Sequence, residues 1–329
     1  MQAVILAAGR GKRLAPVSKF HTKAMAPVAG KPMVQRVMDL FAEQDIHDFV
    51  LVIGPDDDEI RRHFQNPETP QGLVRLVDQH DRLGTAHALR MAAPLIDGDF
   101  VLSACDNLVP PDHIAALVDA HRTRDAAVTL SLMPVAPAAV ASTGIVAWDG
   151  MRVSRIVEKP SPAEAPSNIS SLPLYVLGPA LLERLAHVQP SPRGEYELQD
   201  AFQACIDDGL LVTGVETPWR RQLTNVTDLL ELNRHFLLET PTACLLHGTA
   251  HLEPDAVFNA PIRLDARTRV GARAVVGPLV YAAPGARIGA GAIVRNTLLL
   301  AGATVAAETV VRDAVVTPDG EVCICEIED

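Results

Sequence analysis

No apolar run in this sequence approaches the roughly 20 residues that span a bilayer, although 48% of its 329 residues are hydrophobic. A membrane-spanning role is therefore not expected. A secretory signal is lacking too, because the first apolar run, Ala3 to Ala8, stops at glycine and arginine. Cysteine is sparse: Cys105, Cys205, Cys244, Cys323 and Cys325 are odd in number and scattered, which points to reduced thiols and a cytoplasmic location. Cys323 and Cys325 alone are too few to hold a metal. Basic residues are outnumbered, 29 against 40 acidic, for a net charge of −11, and this balance argues against a general nucleic-acid surface. Two phosphate-binding signatures are also missing. No G-K-S/T follows a glycine at the P-loop spacing, and the third glycine of the dinucleotide fingerprint is absent.

What the chain does contain is a concentrated basic, glycine-bearing stretch from Leu6 to Met33, LAAGRGKRLAPVSKFHTKAMAPVAGKPM. Gly9 and Gly11 lack the Cβ that would hold a backbone away from a ligand, so successive N–H groups can converge on phosphate oxygens. Arg10, Lys12, Arg13, Lys19 and Lys23 place five cations within fourteen residues of an acidic chain, and an anion is the expected counterpart. A solvated basic loop is the alternative. Against it stands an ordered set: a strand, G-x-G-x-R, Pro16, Lys23, Pro27-Val28 and Lys31-Pro32.

The length predicts two domains. Gln2 to Leu6 is expected as a buried strand and Met33 to Glu43 as a helix, since Met33, Val34, Val37, Met38, Leu40 and Phe41 recur at helical spacing. Strands at Phe49–Ile53, Val74–Val77 and Phe100–Ala104 alternate with helices at Asp57–Phe64, Thr85–Ala93 and Pro111–His121, the pattern of a mostly parallel sheet covered by helices. Ligands of such sheets bind at the carboxyl ends of strands, where Gly9 and Asp106 are placed. Beyond Ala126 come strands at Val128–Met133, Gly144–Trp148, Arg152–Val157, Ser170–Leu177 and Leu211–Val215, with a turn at Asp149-Gly150. Helices are expected at Pro179–Leu185, Leu198–Ile206 and Asp228–Leu238.

From about Thr249 the signal is a repeat. Leu264, Val270, Val276, Ala282, Ile288, Val294, Leu300 and Ala306 recur every six residues, with Gly271, Gly277 and Gly289 in the following position. This resembles the hexapeptide repeat of left-handed parallel β-helices, in which six residues form one side of a triangular coil. Eight repeats amount to two to three coils. Of the consecutive Leu298, Leu299 and Leu300, at least one is expected to face outward and to offer a subunit contact.

The ordered set around Gly9 resembles the signature of nucleotidyltransferases that make nucleotide sugars, written G-x-G-T-R, P-K, P-V and K-P, with Lys12 in place of the usual Thr and Thr22 in place of the proline before the lysine. The resemblance covers nearly the whole chain and is nearest to long glucose-1-phosphate thymidylyltransferases and archaeal sugar-1-phosphate nucleotidyltransferases. It implies an α/β fold: a Rossmann-like nucleotidyltransferase domain with a mostly parallel mixed sheet over residues 1–240, then a short left-handed parallel β-helix over 249–329. Leu6, Ala8, Gly9, Gly11 and Arg13 would bind the nucleotide, Arg13 holding the leaving pyrophosphate and Lys23 the α-phosphate. Gln79, Gly84 and Thr85, within QHDRLGTAHAL, match the base-reading segment, where an amide can both donate to and accept from uracil or thymine; Thr85 could equally cap a helix. Asp106, after the Phe100 strand, matches the aspartate that holds catalytic Mg²⁺, a hard cation commonly bound by one or two carboxylates and substrate phosphates. Gly144, Glu158, Lys159 and Ser171 match acceptor-side positions, Lys159 on the acceptor phosphate. Glu197, in the R-G-E-Y-E-L-Q-D-A segment, is expected first as a helix cap.

The acceptor half departs from the pattern. Ser171-Leu172-Pro173 stands where the family has N-A-G, and Gln222 falls where a second metal-binding aspartate is usual; Asn225 could substitute as the Mg²⁺ ligand. The implied reaction joins UTP or dTTP to a sugar 1-phosphate with release of pyrophosphate. The partners are thus a nucleoside triphosphate and a phosphorylated small molecule, with neither nucleic acid nor membrane, and a homo-oligomer formed through the tail. Transfer to a phosphonate or phosphorylated cyclitol, and a non-catalytic regulatory subunit of the same fold, are the alternatives. Acyl transfer by the tail is disfavoured, as no histidine follows His251.

Overall fold

The run QAVIL becomes a strand, β1 (Gln2–Leu6), whose central Ala3, Val4 and Ile5 are wholly buried. It has no polar alternation because it is flanked on both edges by parallel neighbours, β2 (Asp48–Ile53) and β4 (Phe100–Ala104), with β3 (Leu73–Asp78) parallel to β2. The computed structural model, which describes residues 1–66 and 72–326, continues the sheet through β5 (Val128–Pro134), β6 (Gly144–Trp148), β7 (Val153–Glu158), β8 (Ile169–Leu177) and β9 (Val212–Glu216). Strand order is β7-β6-β8-β4-β1-β2-β3, with β5 pairing β8 and β9. The four pairings β1–β2, β1–β4, β2–β3 and β5–β9 are parallel, whereas β8 is antiparallel to β4, β5 and β6, and β7 is antiparallel to β6.

Strand β8 changes partner along its length. Its first residues, Ile169 to Ser171, pair with β6, and Leu174 to Leu177 pair with β4. Pro173, which has no N–H to give a ladder, sits between the two sets, where the pairing with β5 also shifts register. Helices α1 (Met33–Ala42), α2 (Asp58–Gln65), α3 (Thr85–Ala92), α4 (Pro111–Thr123), α5 (Pro179–Leu185) and α6 (Leu198–Asp207) follow the expected alternation. A core running from Val4, Val50 and Leu102 through Leu89 to Phe202 unites α3, α5 and α6 with the sheet.

Contacts within the chain fall into two compact units that do not follow sequence order. One comprises Met1–Gly9 and Val37–Arg221, the other Arg10–Arg36 and Gln222–Asp329. The second unit thus holds most of the basic stretch, the last helix α7 (Val226–Leu238) and the tail. Helix α7 begins two residues before the expected Asp228 because Asn225 and Asp228 form a capping box: the Asn225 Oδ1 accepts from the Asp228 N–H at 2.9 Å while Asp228 accepts from the Asn225 N–H at 3.1 Å.

The tail is a parallel β-helix whose rungs repeat every 18, then every 17, residues. On one face Cys244 pairs Ile262, Ile262 pairs Val280, Val280 pairs Thr297 and Thr297 pairs Ala314. The other two faces run His251, Arg269, Arg287, Thr304 and Val257, Val275, Ile293, Val310. This gives four coils, where the repeat predicts two to three. The first coil escapes the count because it lacks the glycine-rich pattern and carries exposed Leu245, Leu246 and Val257.

The six-residue register also slips once. Leu264, Val270, Val276, Ala282, Ile288 and Val294 line the interior as expected, but the inner positions then continue at Leu299, Val305 and Val311. A corner shortened by one residue at Asn296 (φ 41°) moves the frame, so Ala306 is exposed. The leucine triplet has an outward member, as expected, but it is covered. Leu299 points inward, and Leu298 and Leu300 are also fully buried. Helix α7 packs on the strands Ile293–Leu299 and Val310–Val316 that carry Leu298 and Val315, so the outward leucine is covered from within its own unit and is not a free subunit contact.

All five cysteines are unpaired, and among the described residues no helix is long and apolar enough to cross a membrane. The shifted register is directly testable. Val305→Asp, which buries a charge in the coil, should cost several kcal/mol (about 3 or more) in denaturant unfolding. Ala306→Asp should fall within about 0.5 kcal/mol of the parent; the reverse ranking would restore the unbroken six-residue frame.

Candidate functional site

In the first unit the carboxyl ends of β1 and β4 lie side by side, Leu6 opposite Ala104, and the Cys105 N–H donates to the Leu6 carbonyl at 3.1 Å. This pairing brings Ala8 and Gly9 to the same sheet edge as Asp106. A Cβ added to Gly9 would meet no atom within 4 Å. Nothing in the protein requires the missing side chain, and the space is left for something else. Asp106 is 5% exposed. Its charge is felt by Arg220, whose guanidinium is pushed below its ordinary value by burial, partly offset by Asp106 and Tyr175.

The Ala8 carbonyl is pinned by a residue the sequence reading passed over. Arg82 Nε donates to it at 2.7 Å, and Arg82 Nη2 reaches Asp56 at 3.0 Å. Its position inside QHDRLGT was the available signal.

Gln79 is 4% exposed, and its amide nitrogen lies 3.1 Å from both the Gly84 carbonyl and His87 Nδ1. Both amide hydrogens are committed, which leaves the side-chain oxygen as an acceptor, suited to a donor rather than a donor–acceptor pair. Gly84 has φ 107°, and an added Cβ would stand 2.6 Å from the Tyr196 carbonyl; only glycine fits. Thr85 does not cap α3. Gly84 is the N-cap, without a side-chain bond, and the Thr85 hydroxyl instead accepts from the Leu198 N–H at 3.2 Å. With Tyr196 N–H donating to Leu83 O (2.7 Å) and Ala86 N–H to Tyr196 O (3.0 Å), the Gly84 turn is fastened to the start of α6.

The acceptor-side residues form a row across three strands: Glu158 on β7 faces Gly144 on β6, which faces Ser171 on β8. A Cβ on Gly144 would come within 3.0 Å of Glu158 Oε2, so the glycine opens a recess. Glu158 Oε2 and Ser171 Oγ are buried there with no hydrogen bond from any described residue, and such oxygens are costly unless something donates to them. Lys159 follows directly, with φ 48° and its Nζ 3.5 Å from Glu158 Oε1. Burial raises the Glu158 carboxyl above its ordinary value despite Lys159 beside it. Tyr175, raised by burial, feels both Glu158 and Arg220, which links this row to Asp106.

Glu197 is not a helix cap. It sits at the N-cap position of α6 without a capping bond, and its carboxylate takes Arg193 Nη2 at 2.6 Å and Ser191 Oγ at 3.3 Å. Arg193 also approaches Glu158 at 3.8 Å.

In the second unit the basic stretch forms three short 3₁₀ turns, Lys12–Leu14, Val17–Lys19 and Lys23–Met25. Gly11 (φ 60°) starts the first, and an added Cβ there would press on the Lys23 Cβ at 3.0 Å; the glycine lets Lys23 pack beside Arg13's turn. Arg10, Lys12 and Arg13 are exposed and make no ion pair with any described residue. Lys19 departs from expectation, since Glu321 at 3.2 Å and Asp319 at 3.8 Å already neutralise it. Asn225, expected as a metal ligand, has its oxygen in the α7 capping box, which gives that side chain a structural task. No group of three or more His, Cys, Asp or Glu is arranged to hold a metal among the described residues.

A family model described as nucleotidyl transferase matches residues 2–235. The UTP–glucose-1-phosphate uridylyltransferase AglF of Haloferax volcanii is 30% identical over 245 residues, 74% of this chain and 99% of that protein. A glucose-1-phosphate thymidylyltransferase of Streptomyces griseus is 30% identical over 319 residues, 95% and 85% of the two chains. Other relatives are longer: the chain spans 65% of the low-salt glycan biosynthesis nucleotidyltransferase Agl11 of Haloferax volcanii and 54% of a bifunctional protein GlmU of Methanococcus maripaludis. A crystal structure of a UDP-glucose pyrophosphorylase with UDP-glucose superposes with a TM-score of 0.66 at 21% identity, over 72% of this chain and 98% of that one, a likeness of fold.

The raised Glu158 carboxyl fixes the sign of a pH effect. Ionisation is disfavoured in the fold, so above the unfolded carboxylate range near 4.3 the charged side chain lowers stability. Glu158→Gln should therefore raise the melting temperature at pH 7, and the gain should vanish as the pH falls below about 4. A variant that is less stable at pH 7 would show that the Lys159 and Arg193 pairings outweigh burial.

Proposed function

The chain belongs to the nucleotidyl transferase family, and we propose that it joins UTP or dTTP to the phosphate of a phosphorylated sugar, releasing pyrophosphate. The observation that carries this reading is the Glu158–Gly144–Ser171 row, with two unsatisfied buried oxygens beside Lys159. Sugar hydroxyls supply the donors those oxygens lack, and a lysine suits the acceptor phosphate. An acceptor phosphate oxygen attacks the α-phosphorus, the new O–P bond forms, and the bond to the pyrophosphate oxygen breaks. Positioning and charge neutralisation carry such a step without covalent protein chemistry.

By the family pattern, Arg13 engages the leaving pyrophosphate, Lys23 the α-phosphate and Lys159 the acceptor phosphate. Leu6, Ala8, Gly9 and Gly11 supply the backbone approach, and Gly84 and Thr85 the wall beside the base. The committed amide of Gln79 leaves its oxygen to accept from the ring N–H of uracil or thymine.

Asp106 fits Mg²⁺: it is one buried carboxylate at the sheet edge, the kind of donor set that Mg²⁺ completes with water and substrate phosphates. When bound, the ion would neutralise phosphate charge. Asn225 is not needed for that set. The non-catalytic alternative draws on Gln222, which replaces the usual second aspartate. Five unpaired cysteines support a cytoplasmic setting.

The outward column Val257, Val275, Ile293 and Val310 on one tail face, with Val257 and Val310 50% and 55% exposed, supports homo-oligomerisation through residues 249–329. Of these, 327–329 lie outside the described residues.

Crossing the common nucleoside triphosphates with sugar phosphates, cyclitol phosphates and phosphonates, and reading pyrophosphate release, should show turnover with UTP or dTTP and a sugar phosphate. Preference for a purine triphosphate would contradict the reading of Gln79, and the absence of release with every pair would favour the regulatory alternative. Asp106→Ala should lower turnover on the order of 100-fold or more with the circular dichroism unchanged. The double variant Val275→Glu with Ile293→Glu should reduce the mass measured by light scattering while leaving transfer intact. An unchanged mass would remove this face from assembly.

A further inference from the structure

The second face of the β-helix bears a feature that the proposed reaction does not use. His251, Arg269 and Arg287 are directly paired rung to rung, and each occupies the outward position beside buried Val270 and Ile288. Neighbouring parallel rungs stand about 4.8 Å apart, so the Arg269 and Arg287 side chains rise from backbone positions at that spacing, and Arg267 lines the same cavity. Together with Thr249 and the backbone at Gly285 these residues line a cavity of about 450 Å³, within the roughly 300–1,000 Å³ typical of small-molecule sites.

Repulsion between such cations is ordinarily relieved by carboxylates; here Asp265, Glu308 and Asp255 are engaged elsewhere, and the exposed Glu253 makes no ion pair with the arginines. Asp265 takes Arg263 at 2.8 Å and the Tyr281 hydroxyl at 2.8 Å, Glu308 faces Arg273 at 3.5 Å, and Asp255 accepts the Arg273 N–H at 3.1 Å. Arg267, Arg269, Arg287 and His251 form no ion pair with any described residue. In a chain with a net charge of −11, three arginines without an ion pair lining one concavity favour an external anion. Their planar forks match phosphate oxygens in pairs.

We propose that this cavity is a binding site for a small molecule bearing two or more phosphate charges, separate from the phosphates handled by Arg13 and Lys23. A polyanionic macromolecule is the less favoured occupant because the arginines converge on a cavity, whereas a polymer would be matched by a continuous stripe extending along the face. The column ends in Thr304.

The test uses the full chain and inorganic tripolyphosphate, titrated calorimetrically. Wild type should show two binding events. The variant Arg13→Ala with Lys23→Ala should keep the tail event, and Arg269→Gln with Arg287→Gln should weaken that event by about tenfold or more for each guanidinium removed, with pyrophosphate release unchanged. Tripolyphosphate should also raise the melting temperature of the Arg13/Lys23 variant and not that of the Arg269/Arg287 variant. Should the glutamine pair fail to fold, Arg269→Lys with Arg287→Lys keeps the charge and loses the forks, and a clear loss of affinity is again expected. A single event that disappears with Arg13 and Lys23, an affinity unchanged in the tail variants, or binding of oligonucleotide or polyglutamate in place of tripolyphosphate would overturn the site.

Discussion

One buried amide holds the second unit in order. Asn233, on α7 and 1% exposed, accepts from the Ala29 N–H at 2.8 Å and donates to the carbonyls of Pro27 at 3.1 Å and Leu229 at 2.8 Å. The Leu229 carbonyl lies within the α7 ladder, so the tertiary gain is at the Ala29 N–H and the Pro27 carbonyl, where a buried group left without a partner costs about 1–3 kcal/mol. The hairpin formed by Pro27–Val28 and Lys31–Pro32 is thereby fixed to the helix. Arg36 reinforces the attachment, donating to the Val28 and Ala29 carbonyls while its guanidinium lies 3.8 Å from the centre of the Phe236 ring. The same helix covers Leu298 and Val315 on the β-helix. A Cβ on Gly30 would strike Arg263 of the coil, and Tyr281 receives a backbone bond from Gly30. The signature stretch, the helix and the tail are thus one packed body, and the tail supports the turns that carry Arg13 and Lys23 in addition to any role in assembly.

The first unit is organised around tolerance of missing side chains. Gly84 and Gly144 are required by close approach, of the Tyr196 backbone in one case and of Glu158 in the other. Gly9 is required by nothing in the protein. Glycines of the first kind shape the walls of a site, and the other leaves room for a ligand. Where the walls meet polar groups, the protein leaves Glu158 Oε2 and Ser171 Oγ unsatisfied, a destabilising arrangement that a fold tolerates where binding relieves it. Raised Glu158 and depressed Arg220 have the same origin, desolvation in a recess that holds both signs of charge.

The β-helix separates three tasks by face. Its first face is covered by α7, its second carries the uncompensated His251, Arg269 and Arg287, and its third exposes valine and isoleucine. Parallel stacking places equivalent outward positions directly above one another, so a property repeated at 17- or 18-residue spacing becomes a continuous surface.

The sequence determined much of this by local rules. Alternating apolar strands and amphipathic helices located β1, β4, β6 and α5 to the residue, because burial of both sheet faces and a 3.6-residue period leave a one-dimensional trace. The six-residue repeat likewise announced the coil, and the family motifs singled out Asp106, Glu158 and Lys159 as candidates. What the sequence did not reveal is which partner each side chain meets, whether a few residues away or, for Lys19 and Glu321, distant along the chain. Asn225 and Asp228 cap a helix, Glu197 pairs with Arg193, Lys19 is neutralised by Glu321, and Gln79 spends its amide hydrogens within its own loop. Each of those side chains has several chemically reasonable partners, and a motif names the group without naming which partner it meets. Tertiary structure alone made that choice, as it did for Ala306, where one residue lost at a corner some ten positions earlier turned an expected inward side chain out to solvent.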